Sequence, residues 1–154
     1  MERRVFIQGG AAVLGAGMGA GLLPQDALAQ NAPGWTKAAF ESKTMAEAIK
    51  ALGAAPATES KDVLLQAPEI AENGNVVRLS AVSNLPGTTQ IGFVVEKNPF
   101  PLSALFDVPA GTDPSFAVNV KMGQTSNVYA LARVGDKLFY SVKEVKVTLG
   151  GCGG

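Results

Sequence analysis

The sequence contains no histidine and a single cysteine, Cys152, in 154 residues. Without histidine, the Ser-His-Asp and Cys-His nucleophile pairs, the usual zinc sites and c-type haem ligation are excluded together. With one thiol no internal disulfide can form, so any domain the chain builds must hold together by packing. Neither a phosphate-cradling loop nor a dinucleotide fingerprint is present. Net charge is also lacking: Lys and Arg number 13 and Asp and Glu number 13, a balance that argues against nucleic acid as a partner. The carboxylates Asp107, Asp113 and Asp136 lie close to Pro or Gly, where Asp commonly bonds local backbone, so they are expected to form turns and not acid/base pairs. No cofactor is expected, and self-contained catalysis has no evident residues to carry it.

What is present begins with Arg3-Arg4-Val5-Phe6-Ile7, a twin-arginine pair followed by a Gly- and Ala-rich apolar run to about Leu23. The run leads to Ala27-Leu28-Ala29, a small-x-small cleavage site. Together these predict a Tat-type signal peptide over residues 1–29, a mature chain starting at Gln30, a periplasmic location and no membrane attachment after the signal is removed. Removal takes away Glu2, Arg3, Arg4 and Asp26, two charges of each sign, so the balance stays even. The remainder is of single-domain size, large enough to bury a sufficient core.

Residues 30–60 read as an N-terminal helical segment. Pro33-Gly34 breaks a lead-in with Trp35, Ala38, Ala39 and Phe40 at mostly helical spacing. Thr44-Met45-Ala46-Glu47 is a capping box, in which the Thr44 hydroxyl accepts from the Glu47 N–H and the Glu47 carboxylate reaches back to the Thr44 N–H. Met45, Ala48, Ile49 and Leu52 then fall on one helical stripe, and Gly53 stands where a left-handed C-terminal cap belongs. Residues 54–60 read as a linker, and the helix is expected to pack at one end of the domain that follows.

From Asp62 the apolar period changes to two. Strands are predicted near residues 63–66, 76–82, 90–96, 102–106, 116–121, 128–134 and 138–149, punctuated by Asn73-Gly74, Pro86-Gly87, Asn98-Pro99, Gly111-Thr112-Asp113-Pro114 and Gly135-Asp136. The last of these suits a two-residue hairpin. This spacing predicts a mainly β domain over residues 61–149, an immunoglobulin-like antiparallel β-sandwich. Its last strand is expected to pass from a sheet edge into the tail.

That tail is Gly150-Gly151-Cys152-Gly153-Gly154. Two glycines on each side leave the cysteine on a tether with little intrinsic structure and little bulk around the sulfur, a flexible arm over residues 150–154. From Leu149 the Cys152 backbone can extend about 10 Å beyond the domain. A packed structural cysteine would have apolar flanks, which Cys152 lacks. No activating base accompanies it, and an unperturbed thiol is only about 3% ionised at pH 7. Such a thiol is poor as an enzyme nucleophile and well suited to reaction inside the sites of other proteins.

The Gly-Gly-Cys-Gly-Gly terminus, behind a β-rich domain and an export signal, resembles the SoxY family, the sulfur-carrying subunits of the bacterial thiosulfate-oxidising Sox system. The resemblance runs over the whole chain. It implies that Cys152 is the covalent attachment point for thiosulfate-derived sulfur and that the chain is a carrier and not an enzyme. The implied partners are a SoxZ-like subunit, as heterodimer, and three transient ones: a c-type cytochrome that loads the thiol, a hydrolase that releases sulfate and a sulfur dehydrogenase. Two other readings stay open. One is an exported immunoglobulin-like structural module whose terminal cysteine only forms an intermolecular disulfide; the other is a ubiquitin-like carrier activated at Gly153-Gly154, against which export and the lack of a β-grasp helix after two strands both argue.

Overall fold

A computed structural model describes residues 36–54 and 56–148. Among these residues two short helices come first, α1 (Lys37–Phe40) and α2 (Met45–Ala51). Nine strands follow: β1 (Thr58–Glu59), β2 (Val63–Gln66), β3 (Ile70–Ala71), β4 (Val77–Ser83), β5 (Thr88–Val95), β6 (Leu102–Asp107), β7 (Ser115–Val120), β8 (Ser126–Val134) and β9 (Lys137–Val147). All seven predicted strands are present, and β1 and β3 are additional.

The caps of α2 follow from its sequence. The Thr44 hydroxyl accepts from the Glu47 N–H at 3.2 Å, while the Glu47 carboxylate takes the N–H of Lys43 at 2.9 Å, one residue earlier than the expected Thr44. At the other end Gly53, at φ +72°, donates to the Lys50 carbonyl and Ala54 donates to that of Ile49. This is a Schellman closure, which needs a left-handed residue and so a glycine.

The strands form two sheets. The larger runs β1-β9-β8-β5-β6, with β3 also on β9, and the smaller runs β2-β4-β7. Pairing is antiparallel except where β1 and β3 join β9 in parallel. The Gly135-Asp136 turn joins β8 to β9 with Val134 opposite Lys137, the predicted two-residue hairpin.

Successive side chains of a strand point to opposite faces, so the two faces of the larger sheet require separate cover. Inward, Ile91, Phe93, Val95, Val128, Ala130, Ala132 and Val145 meet Val63, Leu65, Leu79 and Ala81 of the smaller sheet. Outward, Val94, Leu102, Leu131 and Leu138 pack against Ala39, Ala48, Leu52 and Ala54. The helical segment thus lies on the outer face of the larger sheet and not at one end of the sandwich, as its sequence had suggested. Residues 91–95 are apolar with little alternation because the helices cover the face that a two-layer sandwich would leave wet. Arg133 of β8 fastens the layers by donating through Nη2 to the Leu52 carbonyl at the end of α2.

Two further expectations are corrected. Residues 58–59, read as linker, form β1. The last strand is not a free edge over its length, because β1 takes the edge beside Phe139 and Tyr140 and β3 takes it beside Lys146 and Val147. Both additions are two residues long, too short for any periodicity to register.

Candidate functional site

Cys152 and the arm residues Gly150, Gly151, Gly153 and Gly154 lie outside the described residues, as do Arg3, Arg4, Ala27 and Ala29 of the expected signal. The structure does describe the root from which the arm departs. Along the end of β9, Val145 is fully buried in the core and Val147 packs against it, while Glu144, Lys146 and Thr148 alternate toward solvent. That alternation fixes the face the strand presents, and backbone bonds on both sides fix its position.

On one side the Val147 N–H donates to the Thr125 hydroxyl at 3.0 Å. On the other, the Lys146 N–H donates to the Glu69 carbonyl at 3.0 Å and the Thr148 N–H to the Ala71 carbonyl at 3.2 Å. The loop after β3 closes over the same place. A Cβ at Gly74 would overlap the Met122 carbonyl oxygen and come within 3.0 Å of the Val147 Cγ1. The Met122 N–H donates to the Gly74 carbonyl at 2.6 Å. Gly74 is therefore required by close approach, and the strand end is clamped by Thr125, Ala71 and the 73–75 turn up to Thr148.

Cys152 stands four residues beyond Thr148. At about 3.3–3.6 Å per residue its backbone reaches about 14 Å from that point at most. An open cleft of about 480 Å³ with a mixed, mainly apolar lining that includes Ser83, Thr88, Val108, Thr112 and Pro114 lies at the opposite end of the sandwich. From Ser126 to Val134 the length of β8 between the two ends is about 26 Å, so Cys152 cannot return to that cleft. Within the same molecule the arm has no site there to serve.

The rest of the described surface offers little chemistry. No group of three or more His, Cys, Asp or Glu that could hold a metal occurs among the described residues. Asp107, Asp113 and Asp136 are not brought together as a pair. Asp107 accepts from the Gln90 side chain at 2.8 Å, a cross-strand bond between β5 and β6 and not the local backbone bond expected, while the Asp113 carbonyl takes the Ser115 N–H. Burial, reinforced by the nearby Glu96 carboxylate, pushes the Tyr129 phenol above its ordinary value. Tyr129 packs edge-on to Tyr140 at 5.7 Å on the helix-covered side of the larger sheet.

Sequence reasoning singled out the thiol and its glycines but missed the clamp. Thr125 sits in a polar loop like many others, and Ala71 belongs to a two-residue strand. The Asn73-Gly74 pair was legible as a turn, but its contact with Met122 joins residues nearly fifty positions apart. No helix among the described residues is long and apolar enough to cross a membrane.

The chain matches the family described as sulfur oxidation protein SoxY over residues 48–152, a span that runs from within α2 to the cysteine itself. No curated protein matches significantly. Among solved structures, the sulfur carrier protein SoxY from Chlorobium limicola f thiosulfatophilum is 36% identical with a TM-score of 0.60, over 66% of this chain and 92% of that one. A chain from the structure of T cell activation by the bacterial superantigen toxic shock syndrome toxin-1 is 10% identical with a TM-score of 0.41, over 56% of this chain and 99% of that one. That second likeness is too distant to carry an argument.

Proposed function

Because the chain belongs to the SoxY family of sulfur oxidation proteins, we propose that it carries thiosulfate-derived sulfur on Cys152 and presents it to the enzymes of a Sox system. The observation that carries this reading is the family match running on to residue 152, where the only thiol stands between paired glycines beyond a strand end held on both sides. A strand end held in place, followed by a thiol whose glycine neighbours add no side-chain bulk, suits a thiol that must enter the active sites of other proteins.

The chemistry assigns roles outside the chain. Joining thiosulfate to a thiol forms a sulfur–sulfur bond and releases a proton and two electrons, which a c-type cytochrome accepts. Water then cleaves sulfate from the adduct in a hydrolase, leaving the sulfane sulfur on Cys152 for a sulfur dehydrogenase to oxidise. With no histidine in the sequence and no activating base in the tail, the carrier's own contribution is attachment and delivery. The stable partner on this reading is a SoxZ-like subunit, and the site of action is the periplasm, reached by way of Arg3-Arg4 and cleavage after Ala29. N-terminal sequencing of the working protein is expected to read from Gln30; an intact residue 1 would refute the export step.

The decisive experiment is intact-mass analysis of the protein incubated with thiosulfate and the loading cytochrome. Wild type gains a reductant-labile adduct mapping to Cys152, and Cys152→Ser gains none and supports no thiosulfate-dependent turnover. Full turnover by the serine variant, or an adduct on another residue, would sink the carrier reading in favour of a merely crosslinking cysteine.

A further inference from the structure

Four large apolar side chains are markedly exposed among the described residues: Leu64, Ile70, Val76 and Phe100. Leu64 lies on the outer face of the smaller sheet, opposite Val82 and so toward the end remote from the arm. Phe100 has the Lys43 ammonium 3.7 Å over its ring. The other two flank the arm root. Ile70, 56% exposed, is paired with Lys146 on β3, and Val76, 59% exposed, closes the turn whose Gly74 abuts Val147.

The length of the tether makes that position matter. Cys152 extends at most about 14 Å from Thr148, so an enzyme that draws in nearly the whole tether to reach its sulfur must bring the pocket's rim within a few ångströms of Thr148. The surface beside Thr148 is then covered whenever the arm is fully inserted. Because β3 is hydrogen-bonded to the end of β9, Ile70 keeps a fixed register to the arm, and the clamped turn does the same for Val76.

We propose that Ile70 and Val76 form an apolar collar around the arm root that docks against the pocket entrance of the enzymes receiving Cys152, a rim of matching apolar surface. This rests on the carrier reading above. The arm supplies the reacting sulfur, and the collar supplies affinity shared by each successive enzyme.

The test uses the full chain with its partner subunit and compares wild type, Ile70→Ser/Val76→Ser and a control, Leu64→Ser, as substrates of the purified loading cytochrome and hydrolase. The double variant is expected to show a KM raised roughly tenfold, the scale of losing partial burial of two branched aliphatic side chains, with kcat unchanged. The rise should be the same at low and high salt, because no charge is involved. Leu64→Ser should behave as wild type, and a free peptide of residues 148–154 should have the high KM of the double variant. A KM unchanged in the double variant, a wild-type KM equal to that of the peptide, or loss of the partner subunit from the double variant would each overturn the collar. Adducts still mapping to Cys152 in those cases would leave the carrier reading standing; turnover by Cys152→Ser would remove the reading itself.

Discussion

Gly74→Ala tests the clamp at the arm root directly. The added Cβ would overlap the Met122 carbonyl oxygen, which is backbone and cannot rotate away, and would press on the Val147 Cγ1 at 3.0 Å. The 73–75 turn must move outward, which strains or breaks the 2.6 Å bond from the Met122 N–H to the Gly74 carbonyl. Overpacking costs about 1–3 kcal/mol, and the lost backbone bond adds about 1 kcal/mol, so the expected destabilisation is about 3 kcal/mol. With a urea m-value of about 1.5 kcal/mol/M for a domain of this size, the unfolding midpoint should fall by about 2 M at unchanged m. Gly123→Ala is the internal control: it lies in the neighbouring loop at an ordinary φ, with nothing within 4 Å of an added Cβ, and should stay within about ±0.5 kcal/mol. Urea titrations of both variants, followed by far-UV circular dichroism, make the comparison. If Gly74→Ala unfolds at the wild-type midpoint, the close approach of this turn to Met122 and Val147 is wrong, and with it the account of how the arm root is fixed.

Two other perturbations separate the root from the tip. Thr125→Val removes the hydroxyl that accepts the Val147 N–H; it should cost about 1 kcal/mol and speed hydrogen exchange of the Val147 amide while leaving Val128 and Ala130 protected, and uniform exchange across β8 and β9 would count against a local role. Gly150→Pro/Gly151→Pro should leave stability and the thiol count unchanged but slow loading by the cytochrome, since a stiff tether threads a narrow site poorly; unaltered loading kinetics would show that flexibility of the arm is unnecessary.

The sequence by itself determined what depends on neighbours along the chain. Short apolar runs, alternating in most strands and continuous in β5, together with the turn signals between them placed the seven longer strands, Thr44 and Gly53 placed the ends of α2, Gly135-Asp136 placed the hairpin, and the lone thiol between glycines singled out Cys152 as the proposed attachment point. Tertiary structure alone decided what depends on residues far apart. The pairs Thr58–Glu59 and Ile70–Ala71 are strands only because β9 offers them an edge. The stripe of Ala48 and Leu52 could have packed on any apolar surface, and it lies on the outer face of the larger sheet because Val94, Leu102, Leu131 and Leu138 form a second apolar layer there. Gly74 has to be glycine because Met122 and Val147 converge on it. Local patterns report which face a residue presents, whereas the clamp on the end of β9 arises from contacts that exist only after the sheets have closed.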